Sequence, residues 1–318
     1  MTTGAAGGPA WGTCTTVRAP LAQVLAFVAH HRALGARRIW LYFDDPEDPA
    51  ADTLDGVRGV RVVRCDAQHW ARRGVGKGRR QRPDTHQVRQ VSNVGALYRN
   101  TQLDWVCHLD IDEFLWPSRP VAEVLADAPS EAVALRMAPW EALHDPALPD
   151  DIFTARHFRR ALKGPDYAAL RQTVFGPYAE MLHAGALSHA AGKCFFRAGV
   201  MGLKPRIHTG DLNGERLVMR DVLPDIALLH FHAQDAQDWK ARLPFRATAG
   251  AYRANPPFFV WYSTTDAAGI DAFHDRIQVA RPEVLAALRA AGVLIEADLA
   301  LRAKIAALSE AEKRIWTI

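Results

Sequence analysis

The chain has 318 residues, 49% hydrophobic, 23% charged and 9% aromatic, with a formal net charge of +4. This is an ordinary globular composition, with room for one large α/β domain or two smaller ones. No apolar run approaches the roughly 18 residues needed to span a bilayer, and "MTTGAAGGPAWG" lacks both the basic and the apolar region of a signal peptide, so a soluble, cytoplasmic protein is expected.

In chain order, "WGTCTTVR" (11–18) reads as a strand rich in β-branched residues. Pro20 suits the first turn of a helix; Leu21, Val24, Leu25 and Val28 follow at helical spacing, and Gly35 is the expected C-terminal cap. "RRIWLYF" (37–43) is a second strand that ends abruptly in "DDPEDPAAD", and a short helix is expected in the fifties. "GVRVVRC" (59–65) is the third strand, "DTHQVRQVSNVGALYRNT" (84–101) a helix and "DWVCHLDID" (104–112) the fourth strand. A helix over 120–128 and a fifth strand over 131–137 complete the regular half.

The second half is less regular. Residues 141–230 are rich in loops, Gly, Pro and His, with "KCFFRAGVMGL" (193–203) as a strand, and the chain turns helical from Pro282. One domain over 1–280 is expected, divided near 140, followed by a helical extension over 281–318.

Strand–helix alternation predicts an α/β fold with a mostly parallel sheet flanked by helices, whose ligands bind outside the carboxyl ends of the strands. That rule sets Arg18, Asp44, Asp45 and the cluster Asp110, Asp112 and Glu113 along one rim. Residues i and i+2 of an extended chain face the same way, so Asp110 and Asp112 share a side. Two carboxylates so placed suit a hard divalent cation, Mg²⁺ or Mn²⁺, with open positions for water, a His or phosphate oxygens.

Cys14, Cys65, Cys107 and Cys194 form no CxxC pair, and three sit in β-like runs, so neither a zinc site nor a disulfide framework is expected. Residues 72–89 carry Arg72, Arg73, Lys77, Arg79, Arg80, Arg82 and Arg89 against Asp84 alone, which suits an anionic partner or a solvated loop. No aromatic side chains interleave with these charges, and no nucleic-acid motif accompanies them.

Three stretches together, "LAFVAHHRALGARRIWLYFDDPED", "QVRQVSNVGALYRN" and "LDWVCHLDIDEFLWP", resemble the GT-A-fold glycosyltransferases, most closely the family 2-like branch and the related family 92. The likeness covers about residues 11–140 and continues more loosely through "GKCFFR" and "IHTGDL" to "LLHFHAQDAQDWKARL". It implies a metal-dependent transferase using a nucleotide-sugar donor, a UDP-sugar by resemblance, with inversion at the anomeric carbon and a glycan-type acceptor. Asp110 and Asp112 match its metal and diphosphate motif, and Asp44 or Asp45 its acidic position near the nucleoside. His208 is the expected third metal ligand, with His230 as the alternative. Lys193 falls where it would contact donor phosphates, and Arg89 and Asn93 lie on the helix the family uses beside its donor. Relatives often follow the first strand with Arg-Asn-Glu, whereas Arg18 precedes Ala19-Pro20, so Arg18 alone carries over.

Inversion needs a base for the acceptor hydroxyl. Glu141, after the fifth strand, is the first choice and Asp211 the second, with Glu180 behind them; Trp140 could stack on a sugar. His30 and His31 are expected to pack or cap. The alternative function is another metal-dependent nucleotide or phosphate enzyme, then a polyanion-binding protein. No nucleic-acid partner is expected, and any membrane contact would be peripheral.

Overall fold

The computed structural model describes residues 8–74, 80–182, 184–219, 221–248 and 250–316. The chain runs β1 (Trp11–Val17), α1 (Leu21–Ala33), β2 (Arg38–Phe43), α2 (Ala50–Leu54), β3 (Val60–Arg64), α3 (Ala67–Arg73), α4 (His86–Asn100), β4 (Trp105–His108), β5 (Glu113–Pro117), α5 (Val121–Ala126) and β6 (Ala134–Met137). It continues through β7 (Pro139–Leu143), β8 (His157–Arg160), α6 (Ala168–Phe175), β9 (Lys193–Arg197), β10 (Leu203–Pro205), β11 (Gly210–Leu212), β12 (Glu215–Arg216) and β13 (Ile226–His230). Last come α7 (Ala236–Thr248), α8 (Pro256–Thr264), α9 (Ala267–Gln278), α10 (Pro282–Ala290), β14 (Leu294–Glu296) and α11 (Leu301–Glu312).

These elements form two compact units. The first comprises residues up to Met137, Gly192–Leu228 and the segment from Leu301; the second comprises Ala138–Ala191 and Leu229–Ala300. The 281–318 stretch is therefore divided, with α10 and β14 in the second unit and α11 in the first. There α11 is tied to α1 by Lys304 Nζ on His30 Nδ1 at 3.1 Å, and Glu312 accepts the Arg58 amide at 3.0 Å.

The first unit holds a sheet of order β3-β2-β1-β4-β9-β6, in which β3, β2, β1 and β4 pair in parallel and β9 runs antiparallel to β4 and β6. The expected α/β sheet flanked by helices is present. Strands approach closely at Gly12, where a Cβ would lie 2.3 Å from the Arg38 carbonyl oxygen. Cys14, Tyr42, Cys65, Trp70, Val94, Leu97 and Val106 form one buried cluster under α3 and α4. Burial holds the Cys14, Cys65, Cys107 and Cys194 thiols above their ordinary pKa, as small inert hydrophobes.

His30 and His31 pack, as expected. His30 Nε2 lies 2.7 Å from the Leu115 carbonyl oxygen and His31 stacks on Phe114, both rings fully buried. Burial pushes His31 down to about 3 and His30 well below its usual range, so both are neutral.

Three boundaries differ from the sequence reading. The fourth strand stops at His108, because Glu113 closes a turn: its amide donates to Asp110 O at 3.1 Å and its side chain accepts the Asp110 amide at 2.8 Å. The 193–203 strand breaks after Arg197, where Gly199 and Gly202 take φ of +74° and +80°, a region only Gly enters freely. The basic stretch begins inside α3, capped by Asp66 and ended by Gly74 at φ +64°. Arg72 and Arg73 are thus last-turn helix residues, while Lys77 and Arg79 lie outside the described residues.

In the second unit β7, β8 and β14 pair antiparallel. Its core gathers Phe175, Trp239, Leu243, Tyr252, Phe258, Phe273 and Leu288. Trp239 stacks on Phe273 with centroids 6.0 Å apart.

Candidate active site

The neighbouring carboxyl ends of β2, β1 and β4 make the rim of the first unit's sheet. Val17 pairs with Phe43, and Cys14 with His108. Arg18, exposed, follows β1; Asp44 and Asp45 follow β2; Asp110 and Asp112 follow β4. The sequence-derived rim is therefore assembled within one sheet.

Lys193 is the positive group within this acidic turn. It opens β9, the strand beside β4, and its side chain is fully buried. Its ammonium donates to Asp110 Oδ2 and, at 2.7 Å, to Glu113 Oε2. Gln90 Nε2 of α4 donates to Asp110 Oδ1 at 2.5 Å. Burial works against the Lys193 charge, but Asp110 and Glu113 outweigh it and hold the ammonium above its ordinary pKa. Burial likewise opposes the Asp110 charge, and Lys193 outweighs it, so this carboxyl titrates below its usual range. Next to it burial, helped by Lys193, pushes His108 down to about 4. Lys193 thus fixes Asp110 and Glu113 of the acidic turn.

Asp44 is held just as firmly. Arg89 grips both of its oxygens at 2.7 and 2.9 Å, and Arg82 adds a contact at 2.7 Å. Arg89 is buried, whereas the Arg82 side chain is 46% exposed. Arg89 also donates to the carbonyls of Pro83 and Asp84, so it fastens the loop that leads into α4. Beside Arg82 lies a cleft of about 350 Å³ lined by Pro46, Cys65, Asp66, Trp70 and Arg80. Asp45, exposed, accepts the Glu47 amide at 3.0 Å. Asn93 is buried and donates to Thr16 Oγ1 at 3.1 Å, while its Oδ1 lies 3.0 Å from His69 Nε2. Arg89 and Asn93 thus hold up the rim from below.

His208 sits after β10, half-buried, with Nδ1 2.9 Å from the Gly192 carbonyl oxygen. A ring nitrogen facing a carbonyl must donate, so in the neutral ring the lone pair lies on Nε2, the arrangement a metal-ligating His uses. Asp110 and Asp112 supply hard oxygens, and each Asp110 oxygen keeps a second lone pair beside its present donor. The donor set fits Mg²⁺ or Mn²⁺. Among the described residues, however, ligand atoms of Asp110, Asp112 and His208 do not all come within 4.8 Å of one another. In the second unit His230, the alternative ligand, has its ring 5.3 Å from that of His189 and 5.2 Å from that of His232. His189 and His230 belong to a set of side chains that could hold a metal ion.

The first two carboxylates put forward as bases, Glu141 and Asp211, are both engaged. Glu141 is buried and accepts from Arg159 at 2.9 Å and from the amides of Leu187 and Ser188 at 3.1 and 2.5 Å. Burial opposes its charge, but Arg159 and the Ser188 amide outweigh that, and the carboxyl titrates below its usual range. Asp211 is held by Arg206 at 2.5 Å and Arg216 at 3.1 Å, both side chains substantially exposed. Glu180 is exposed and Trp140 half-buried, both in the second unit.

Sequence reasoning missed Glu113 as Lys193's second partner and Gln90 as Asp110's. The first had a signal in the sequence, since three carboxylates in four residues need a cation nearby. Gln90 had none.

No protein-family model matches the chain, and no curated protein matches it in sequence. Among solved structures it overlaps in part with HddC from Yersinia pseudotuberculosis, at 8% identity and a TM-score of 0.28 over 48% of this chain and 69% of that one. It also overlaps with mannosyl-3-phosphoglycerate synthase from Rubrobacter xylanophilus, at 15% identity and a TM-score of 0.29 over 59% of this chain. The overlap takes in 53% of the synthase, about half its length.

Proposed function

We propose that this chain is a metal-dependent glycosyltransferase that moves a sugar, with inversion, from a nucleotide-sugar donor to a hydroxyl of a glycan-type acceptor. By resemblance the donor is a UDP-sugar. One observation carries the reading: the adjacent ends of β2, β1 and β4 bring Asp44-Asp45, Arg18 and Asp110–Asp112 to one rim of a parallel sheet. Asp110 and Asp112 would hold Mn²⁺ or Mg²⁺, with His208 as third ligand only after a shift toward them, and the ion when bound supplies positive charge against a departing diphosphate.

Each remaining role falls to the chain's own side chains. Lys193 keeps Asp110 ionised and pointed, and Glu113 holds Lys193 from the other side. Arg18 offers an exposed cation to the donor phosphates. The cleft beside Arg82 takes the nucleoside. Of the two candidate bases we favour Asp211 over Glu141. The arginines on Asp211 are exposed enough to swing away, whereas Glu141 is enclosed and held at low basicity.

Thermal unfolding against nucleoside diphosphates and nucleotide sugars, with and without Mn²⁺, tests the reading without knowledge of the acceptor. A ligand at a hundredfold excess over its Kd stabilises the native state by about 2.7 kcal/mol, a midpoint rise of several degrees. The expected result is a metal-dependent rise with one nucleotide family, lost in the Asp110→Asn, Asp112→Asn double variant. A well-folded protein that shifts with no nucleotide would sink the proposal. Release of the free nucleoside diphosphate from a bound donor separates sugar transfer from nucleotidyl chemistry.

A further inference from the structure

Helix α8, "PPFFVWYST", is apolar through Tyr262, yet only one side is covered. Phe258, Trp261 and Tyr262 face inward, with Phe258 4.5 Å from Tyr252 and Trp261 4.5 Å from Phe273, centroid to centroid. The outward stripe is Pro256, Phe259, Val260 and Ser263, with Phe259 45% and Val260 63% exposed. A helix hydrophobic all round is ordinarily buried all round. Phe245 of the preceding helix α7 is also 55% exposed. Among the described residues, Phe245 and Phe259 are the two exposed phenylalanines.

The polar groups of this face are already satisfied by its own backbone. Ser263 Oγ donates to Phe259 O at 2.8 Å, Thr264 Oγ1 to Val260 O at 3.1 Å, and Thr248 Oγ1 on α7 to Pro244 O at 2.7 Å. The helix start is equally closed. Pro256 and Pro257 have no amide hydrogen; Asn255 Oδ1 accepts the Phe258 amide at 3.2 Å and Asn255 O accepts the Phe259 amide at 3.1 Å. Moving these hydroxyls and amides out of water therefore strands none of them, a condition a hydrocarbon-rich medium imposes.

Charge selects the medium. Residues 236–265 carry Lys240, Arg242, Arg246 and Arg253 against Asp238 alone. Arg242 pairs with Asp238, Lys240 with Asp271 of α9, and Asp266 caps the Gly269 amide. Arg246 is half-buried and turned toward Tyr252, which leaves exposed Arg253, in the loop that joins the two helices, as the cation at the hairpin's tip. Exposed aromatic and aliphatic residues edged by arginine match a lipid surface with anionic headgroups. Among the described residues no helix is long and apolar enough to cross a membrane, so α8, at nine residues, would lie in the interface.

We propose that the α7–α8 hairpin docks the protein peripherally on an anionic bilayer, with Phe259 and Val260 inserted at headgroup level and Arg253 beside the lipid phosphates. The inference rests on residues 236–265 and is independent of the transferase reading.

Vesicle flotation tests it. Wild type is mixed with phosphatidylcholine vesicles carrying about one-third phosphatidylglycerol, or with phosphatidylcholine alone, at low and at physiological salt. The expected result is binding to the anionic vesicles that weakens with salt, and at least about tenfold weaker binding to the neutral ones. Phe259→Ser with Val260→Ser should reduce binding about tenfold or more, with the thermal midpoint unchanged because both side chains are exposed. Arg253→Glu, a loop substitution, should reduce it about tenfold on anionic vesicles only. Absence of wild-type binding to anionic vesicles, or equal binding by the serine variant, overturns the proposal. So does a dimer in solution that the serine variant breaks with no vesicle binding, which would make the face a self-interface.

Discussion

Each unit buries an ion-paired carboxylate, and the two differ in their balance of charge. In the second unit Glu141 faces Arg159 one to one, with the amides of Leu187 and Ser188 filling its remaining positions. In the first, Asp110 and Glu113 share a single Lys193 ammonium, with Asp112 in the same turn. A one-to-one pair with added amide donors holds loops together. A cluster in which one ammonium serves two carboxylates lies instead at a strand end of the parallel sheet, the place where α/β folds bind ligands.

The largest expected effects come from breaking each centre on its cationic side. Lys193→Met leaves buried Glu113 and half-buried Asp110 against a thioether chain, and Arg159→Met does the same to buried Glu141. Each should cost about 3–5 kcal/mol in urea unfolding. Second substitutions sharpen the contrast. Adding Glu141→Gln to Arg159→Met should recover most of the loss, because no buried charge remains there. Adding Asp110→Asn to Lys193→Met should recover only part, because Glu113 stays charged. Equal recovery in both would mean that the two centres are alike.

Stability should follow pH with a sign fixed by each group. Asp110 and Glu141 titrate lower in the folded chain than in the unfolded one, where carboxyls titrate near about 4. Their contribution is complete above about pH 5 and is lost as pH falls through the depressed folded values. Lys193 titrates above its unfolded value of about 10.4, so its contribution is complete below that pH and fades as pH rises through the raised value. A pH series of urea midpoints should show a plateau between these limits. Loss of stability at pH 7–8 would contradict the assignment.

Smaller effects are expected at the rim itself. Asp112→Asn should change stability by less than about 1 kcal/mol and yet abolish any nucleotide-dependent thermal shift. Arg82→Ala should also cost no more than about 1 kcal/mol, since that side chain is half in water. Arg89→Ala should cost more, since Arg89 is buried and also holds the 83–84 carbonyls.

The alternating half of the chain was readable because period, caps and glycines agree there: β1, α1, β2, α2, β3 and α4 fall where the pattern sets them. The rim was readable for the same reason, since a parallel sheet fixes where strand ends lie. What the sequence does not display is pairing across long separations. Lys193 looked like a group for donor phosphates because a sequence separation of 83 from Asp110 hides their contact. Asn93 and Arg89 looked like rim groups because a helical pattern does not say which side chains the fold turns inward. No helices were read in residues 236–264 for a further reason: α7 has an internal proline, and α8 is apolar through its first seven residues, so no polar stripe marks its outer side.

The place of β9 in the sheet has a consequence for biosynthesis. β9 bridges β4 and β6, yet β6 ends at Met137 and β9 begins only at Lys193. During translation at about 5–20 residues per second, both neighbours emerge roughly 3–10 seconds before the strand between them. For that interval the open edge of β4 offers unpaired backbone along Trp105-Val106-Cys107, a template for intermolecular pairing. The strand that completes the sheet also brings Lys193 to the acidic turn. Closing the aggregation-prone edge and neutralising the buried carboxylates are thus one event in the history of each molecule.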